Sequence, residues 1–266
     1  MTGAIQQPHP VLRDYLAGPM VGYDITLNED QVHLGVPSET ATLIIALDEP
    51  LDVGWFGERD SQKLWASASG LHLSPALIRT HGLQRGIQLQ LTPLGCRALF
   101  GAPLAELAGQ SVDLVELPRG LTESEYARIA EQAEWPQRFA VLEFLLLDRL
   151  EEFLMPADIR RAWRLLCRGC GVAQTAADVG WSRRYLNIRV RSEVGISPKQ
   201  LSRLARFSRA RTMVRQGARL ADAAYAAGFA DQSHLSREWH TLAGQSPRSE
   251  QEFPFLQDLQ YPGPAG

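Results

Sequence analysis

The hydrophobic pattern changes period once along the chain, near Leu94. Before that point, short apolar or β-branched stretches at 23–27, 41–47, 51–56 and 86–91 are punctuated by Pro, Gly, Asp and Glu, which predicts strands. In the last of them Ile87, Leu89 and Leu91 alternate with Gln88, Gln90 and Thr92. Period-2 alternation predicts one packed and one polar face, as in the wall of a small β-sandwich or open barrel.

Beyond Leu94 the spacing becomes helical. Ala98, Leu99, Ala102, Leu104 and Leu107 predict a short segment broken near Pro103. Thr122-Glu-Ser-Glu125 reads as a capping box opening a helix to about residue 133. Pro136 opens another, with Phe139, Leu142, Leu146 and Leu150 on one face. From 157 onward no strand pattern remains. Helices are expected around Ile159–Trp163–Leu166, around Val172–Ala176–Val179 (stopped by Gly180), over 185–194 (stopped by Gly195) and from Pro198 to about Val214. Two more follow, over 220–227 and 234–243, stopped by Gly228 and Gly244. The expected fold class is therefore α+β with two domains. A unit over 1–155 is β-rich at 20–92 and helical at 94–154, an all-α unit spans 156–253, and residues 254–266 form a flexible tail.

At 266 residues the chain can build two cores. Its apolar runs are too short for a bilayer, and residues 1–10 lack the basic and apolar regions of a secretory signal. Three cysteines argue against a disulfide framework, so a cytoplasmic protein without membrane association is expected. The net charge of −3 conceals a segregation: residues 156–250 hold 17 basic and 7 acidic side chains, about +10, and the remainder is about −13. All but one of the 17 are arginine, whose planar fork suits phosphate and guanine. A basic module joined to an acidic one predicts a nucleic-acid reader with a separate second function.

The basic part contains a weak repeat. Gly180-Trp181-Ser182 through Leu186 to Gly195-Ile-Ser197-Pro198 is echoed by Gly228-Phe229-Ala230 through Leu235 to Gly244-Gln-Ser246-Pro247. In each copy an Ala-rich helix ends at a glycine, an aromatic plugs the turn, and a polar-studded helix follows. That is the logic of a helix-turn-helix, whose second helix enters the major groove.

These residues resemble the DNA-binding domain of AraC/XylS-type transcription regulators. The likeness rests on the Gly180-Trp-Ser182…Leu186 stretch, Gly195-Ile-Ser-Pro-Lys-Gln-Leu201, Arg206-Phe207, Ala223-Ala224…Gly228-Phe229…Asp231-Gln-Ser-His-Leu-Ser-Arg237 and Gly244-Gln-Ser-Pro247, about 95 residues in all. It departs from the family pattern at Ile188, where an arginine is usual, and at Val190, where an aromatic is usual. Residues 86–95, 98–103 and 106–107 are similar to the strand-to-helix junction of the regulatory half in a cupin-like or small β-barrel subgroup. The resemblance implies a sequence-specific transcription regulator rather than an enzyme, controlled by a small-molecule effector or by dimerisation through the N-terminal domain. Its implied partners are double-stranded DNA, that effector, RNA polymerase and a second copy of the chain, with no cofactor.

The candidate DNA contacts of the first unit are Arg183, Arg184 and Asn187 at base edges and Arg191 near phosphate. In the second unit they are Gln232, Ser233, Ser236 and Arg237. Asp231 is expected to cap the recognition helix, and His234 to meet either a phosphate or the turn backbone. Tyr185, Leu235 and Trp239 are assigned to packing. Arg203, Arg206, Arg209, Arg211 and Arg215 are expected around the surface of the connecting helix, mostly solvated.

Other chemistry is set aside. Cys167-Arg-Gly-Cys170 has no second pair for a zinc site and reads as helix-end packing. His33, His72 and His81 form no His-x-His pair, so no metal is expected. No phosphate loop, Gly-x-Ser-x-Gly or His-Glu-x-x-His occurs, so no catalytic residue is assigned. Trp55, Phe56 and Trp65 are read as core, with a ligand pocket as the alternative.

Overall fold

A computed structural model describes residues 2–26, 32–57, 60–79, 82–150 and 155–251; His81 and the tail 254–266 lie outside them. Among the described residues, the N-terminal half carries ten strands: β1 (Thr2–Gln6), β2 (Met20–Thr26), β3 (Val32–Gly35), β4 (Ala41–Ala46), β5 (Leu51–Trp55), β6 (Ser61–Leu64), β7 (Ala66–Ser69), β8 (Ala76–Arg79), β9 (Leu83–Leu91) and β10 (Ser111–Asp113). They form two antiparallel sheets, one ordered β1-β2-β9-β4-β7-β10 and the other β3-β8-β5-β6. Two of these strands fall outside the predicted β region: β1 precedes it, and β10 interrupts the stretch expected to be helical.

The larger sheet is buried on both faces. Leu43, Ile45, Ile87, Leu89 and Leu91 pack toward the helices, while Tyr23, Ile25 and Ile44 meet Leu51, Val53 and Ile78 of the smaller sheet. The polar face expected of β9 is therefore also covered: Gln88 is 1% exposed and Gln84 6%. A small interior cavity of about 50 Å³ remains between the sheets, lined by His33, His72, Ser69, Thr42 and Gln88 among others. Burial, then the nearby Arg211 guanidinium, lowers the His33 pKa to about 4. Burial also lowers that of His72, against the opposing pull of the Ser74 carbonyl. Below about pH 6.5 the unfolded chain binds protons that the folded chain refuses, so stability should fall from there and level off near pH 4. Since His33 is not fully enclosed, about 1–2 kcal/mol is expected from it by pH 4.5. Urea titrations between pH 7 and 4.5 check this, with His33→Gln flattening the profile.

Helices α1 (Pro93–Phe100), α2 (Glu123–Ala130) and α3 (Trp135–Arg149) cover the outer face of the larger sheet. Thr122 forms the predicted capping box with Glu125, although α2 stops three residues early, and the Tyr126 hydroxyl donates to the Ala46 carbonyl at 2.8 Å. From residue 155 on, the elements among the described residues are all helices: α4 (Ala157–Cys167), α5 (Val172–Asp178), α6 (Arg183–Val194), α7 (Pro198–Arg215), α8 (Leu220–Ala227), α9 (Gln232–Ala243) and α10 (Pro247–Gln251). Leu201, Leu204, Phe207, Ala210 and Val214 run along the buried side of α7, against which α4, α8 and α9 pack. Burial, then the Glu39 carboxylate, pushes the Cys167 thiol well above its usual range, against the pull of Arg209. Cys167 and Cys170 are free thiols, as a packing role requires.

One apolar cluster runs without a break from Leu12 to Ala243, so the two halves are held together. The C-terminal end of α6 is docked on the N-terminal half: Glu193 accepts from Arg97 Nε at 2.7 Å, and Gly195 lies against the 3-10 turn Leu104–Leu107 and Ala108. A Cβ at Gly195 would fall 2.3 Å from the Ala108 Cβ, whereas at Gly180 it would meet nothing within 4 Å. Both glycines have left-handed backbone, φ +84° and +71°. Gly180→Ala should therefore cost only the backbone strain, about 1 kcal/mol. Gly195→Ala adds overpacking and should cost about 2–4 kcal/mol. Urea denaturation of the two variants measures the difference; equal costs would mean that α6 is not seated on the N-terminal half.

Candidate nucleic-acid interface

Each repeat folds as two helices joined at a left-handed glycine. In the first, α5 leads through Gly180 into α6, whose N-cap Ser182 accepts from the Tyr185 amide at 3.1 Å. In the second, α8 leads through Gly228 into α9, whose N-cap Asp231 accepts from the His234 amide at 2.6 Å. The carboxylate cap is as expected, and it complements the positive end of the helix dipole. His234 takes the turn-backbone alternative: its Nδ1 accepts from the Ala230 amide at 3.4 Å, and its ring meets Phe229 edge-on.

On α6, Leu186, Val190, Glu193 and Val194 are buried. The opposite stripe is Arg184, Asn187, Ile188 and Arg191, at i, i+3, i+4 and i+7, with Arg183 exposed at its N-terminal edge. On α9, Leu235, Trp239 and Leu242 are buried, and Ser233, Ser236 and Arg237 share the outward stripe, with Gln232 exposed beside it. The sequence-derived candidates are thus brought onto one face of each second helix. Val190, in place of an aromatic, is fully buried in the core.

The arginines divide into two sets. Among the described residues, none of Arg183, Arg184, Arg191 and Arg237 is paired with an acidic side chain. Those of α7 point inward, against the expectation that they are mostly solvated. Arg203 Nε pairs with Glu238 on α9 at 2.5 Å. Arg206 donates to the Gly228 carbonyl at 3.3 Å and lies over the Phe229 ring. Arg209 donates to the Cys167 carbonyl at 3.4 Å, and Arg211 is 9% exposed. Arg203 and Arg206 thus hold the second unit on α7, and Arg209 ties α7 to α4.

Three further residues are exposed on or beside these stripes and were not among the candidate contacts. Tyr185 packs edge-on against Trp181 at 5.1 Å, as assigned, and stays 47% exposed. Ile188 is 52% exposed in the middle of the outward stripe of α6. His240 continues the α9 stripe one turn beyond Ser236 and Arg237; its i+3 spacing from Arg237 is the signal that would have found it.

A family model described as a helix-turn-helix domain matches residues 175–252. The C-terminal third is an AraC-type helix-turn-helix domain. Over 56 residues the chain is 38% identical to the uncharacterised HTH-type transcriptional regulator YbfI of Bacillus subtilis (strain 168). The matched stretch is 21% of this chain and spans only about a fifth, 20%, of YbfI. The whole fold is similar to that of ToxT from Vibrio cholerae, at 12% identity and a TM-score of 0.55 over 88% of this chain and 98% of that one. ToxT with an unsaturated fatty acid bound is similar at 13% identity and a TM-score of 0.52, over 87% of this chain and 94% of that one. A two-sheet N-terminal half followed by a helical domain is thus a fold that this chain shares with ToxT.

Proposed function

We propose that this protein is a sequence-specific, DNA-binding transcription regulator whose N-terminal half controls its AraC-type domain. The observation that carries the reading is the division of the arginines. Inward ones are engaged by Glu238, Glu193 and backbone carbonyls, whereas outward ones have no acidic partner among the described residues and lie beside Asn187, Ser233 and Ser236 on the two second helices. An unpaired arginine next to a short polar side chain on one helix stripe suits bidentate guanine contacts flanked by adenine or phosphate contacts. Arg183, Arg184, Asn187 and Arg191 form the contact set of the first unit, and Gln232, Ser233, Ser236 and Arg237 that of the second. Ile188 replaces a polar contact by an apolar one, which suits a thymine methyl.

Selection from a random duplex pool, with and without candidate metabolites, tests this reading. One enriched sequence family is expected, and no enrichment under any condition overturns it. On the selected site, Ile188→Ala should relax preference at a single position with the salt dependence unchanged. Arg191→Ala should lower the slope of log affinity against log salt by about 1. Both are read by fluorescence anisotropy over a salt series.

Control by a small molecule or by dimerisation, and contact with RNA polymerase, belong to the same reading. ToxT has been seen with an unsaturated fatty acid bound. Here the sandwich interior offers about 50 Å³, room for a few waters and not for an acyl chain.

A further inference from the structure

The two second helices are built to one register. α6 and α9 each run 12 residues, from a capped start to a left-handed glycine. Ile188 and Arg237 each stand two residues after a buried leucine, Leu186 or Leu235, and seven before the closing glycine, Gly195 or Gly244. The same register sets Val190 against Trp239, and both are buried, so the packing agrees with the sequence repeat. Ile188 and Arg237 therefore occupy equivalent places, opposite the buried face of each helix. Where the second unit presents a guanidinium, the first presents an isoleucine that is 52% exposed.

A single exposed aliphatic side chain needs no explanation by itself. This one is set apart by what surrounds it. Arg184 and Arg191, one turn to either side, have no acidic partner among the described residues, so this face suits a polyanion and not an apolar protein surface. Tyr185, three residues before Ile188, is held edge-on by Trp181 and keeps about half of its surface outward. Ile188 and Tyr185 thus form a small apolar pad among cations, in the helix that also carries Asn187.

The apolar group that a base edge presents in the major groove is the C5-methyl of a pyrimidine. Thymine carries it, and so does 5-methylcytosine. The two bases differ at C4, where thymine has an acceptor oxygen and methylcytosine a donor amine. A hydrocarbon side chain makes no hydrogen bond and does not tell them apart. It does separate both from uracil and cytosine, which lack the methyl. We propose that the first unit reads a pyrimidine C5-methyl group through Ile188, flanked by Tyr185, so that 5-methylcytosine can stand in for thymine there. At equivalent places the second unit then discriminates by hydrogen bonds from Arg237, and the first by burying a methyl group. The proposal rests on the regulator reading, which supplies the duplex.

The test uses the full chain and the sequence enriched from the random duplex pool. Each thymine is replaced in turn by uracil, which removes the methyl group alone, and affinity is read by fluorescence anisotropy at two salt concentrations. One thymine is expected whose replacement weakens binding about fourfold, the effect of burying one methyl group. The factor should be the same at both salts, because no charge is involved. At that position a 5-methylcytosine–guanine pair should bind about fourfold tighter than cytosine–guanine. Ile188→Ala should abolish both differences, and its outward position leaves the core intact, which circular dichroism verifies. Ile188→Val, which keeps a branched apolar end, should retain them, as should Arg237→Ala at the equivalent place in the second unit. A site in which no thymine responds to uracil, a response undiminished in Ile188→Ala, or equal binding of the cytosine and 5-methylcytosine duplexes overturns this proposal and leaves the regulator reading standing. Absence of any enriched sequence removes both.

Discussion

Arg237→Ala is expected to weaken binding to a selected duplex by about 1–3 kcal/mol, roughly 5- to 150-fold, while binding to random duplex at the same salt falls far less. Arg237 lies in the second turn of α9, beside Ser233 and Ser236, with no acidic partner among the described residues. Its neighbour Glu238 is held by Arg203, and the start of the helix is held by the Asp231 cap and by Arg206 on the Gly228 carbonyl. The backbone that presents Arg237 is thus fixed at both flanks, so truncating the side chain removes a contact and not the helix. A contact to base edges discriminates among sequences, whereas a phosphate contact weakens all of them alike. Anisotropy on selected and random duplexes at one fixed salt concentration decides between the two. Equal losses would return Arg237 to the phosphate backbone and leave the specificity of the second unit to Gln232, Ser233 and Ser236.

Much of that arrangement was readable from the chain, for a local reason. Helix stops and starts are written within four residues: Gly195, Gly228 and Gly244 take left-handed backbone, and Ser182, Ser197 and Asp231 cap the helices that follow. The two recognition stripes followed from helical spacing alone. What depended on distant partners was not readable. β6, β7 and β8, with sequences SQKL, ASAS and ALIR, carry little β signal; they are strands because β4, β5 and β3 pair with them. Gln88 has the alternation of a solvent-facing position and is buried because the second sheet closes over it. The roles of Arg203 and Arg97 are set by carboxylates 35 and 96 residues away, a separation at which no periodicity helps.

The largest loss of stability is expected from Trp239→Ala. Trp239 is 1% exposed, on the buried face of α9, and meets Phe207 of α7 edge-to-face with ring centroids 5.3 Å apart. Removing a buried tryptophan costs about 3–5 kcal/mol through lost burial and the cavity left behind, and the aromatic pair adds about 0.5–1.5 kcal/mol. Against a typical total of about 5–15 kcal/mol this is enough to release the second unit. The Arg203–Glu238 pair and the Arg206 contact to Gly228 do not replace it, because both need α9 already lying on α7. Binding should then be lost on selected and random duplexes alike, the opposite of the pattern expected for Arg237→Ala. Trp239→Phe keeps an aromatic partner for Phe207 and should recover most of the stability and all of the sequence preference. Urea unfolding followed by circular dichroism gives the stabilities, and anisotropy on the same preparations gives the binding. If Trp239→Ala unfolds within about 1 kcal/mol of the parent, the α7–α9 contact is not what carries the second recognition helix, and the inward arginines must be doing so instead.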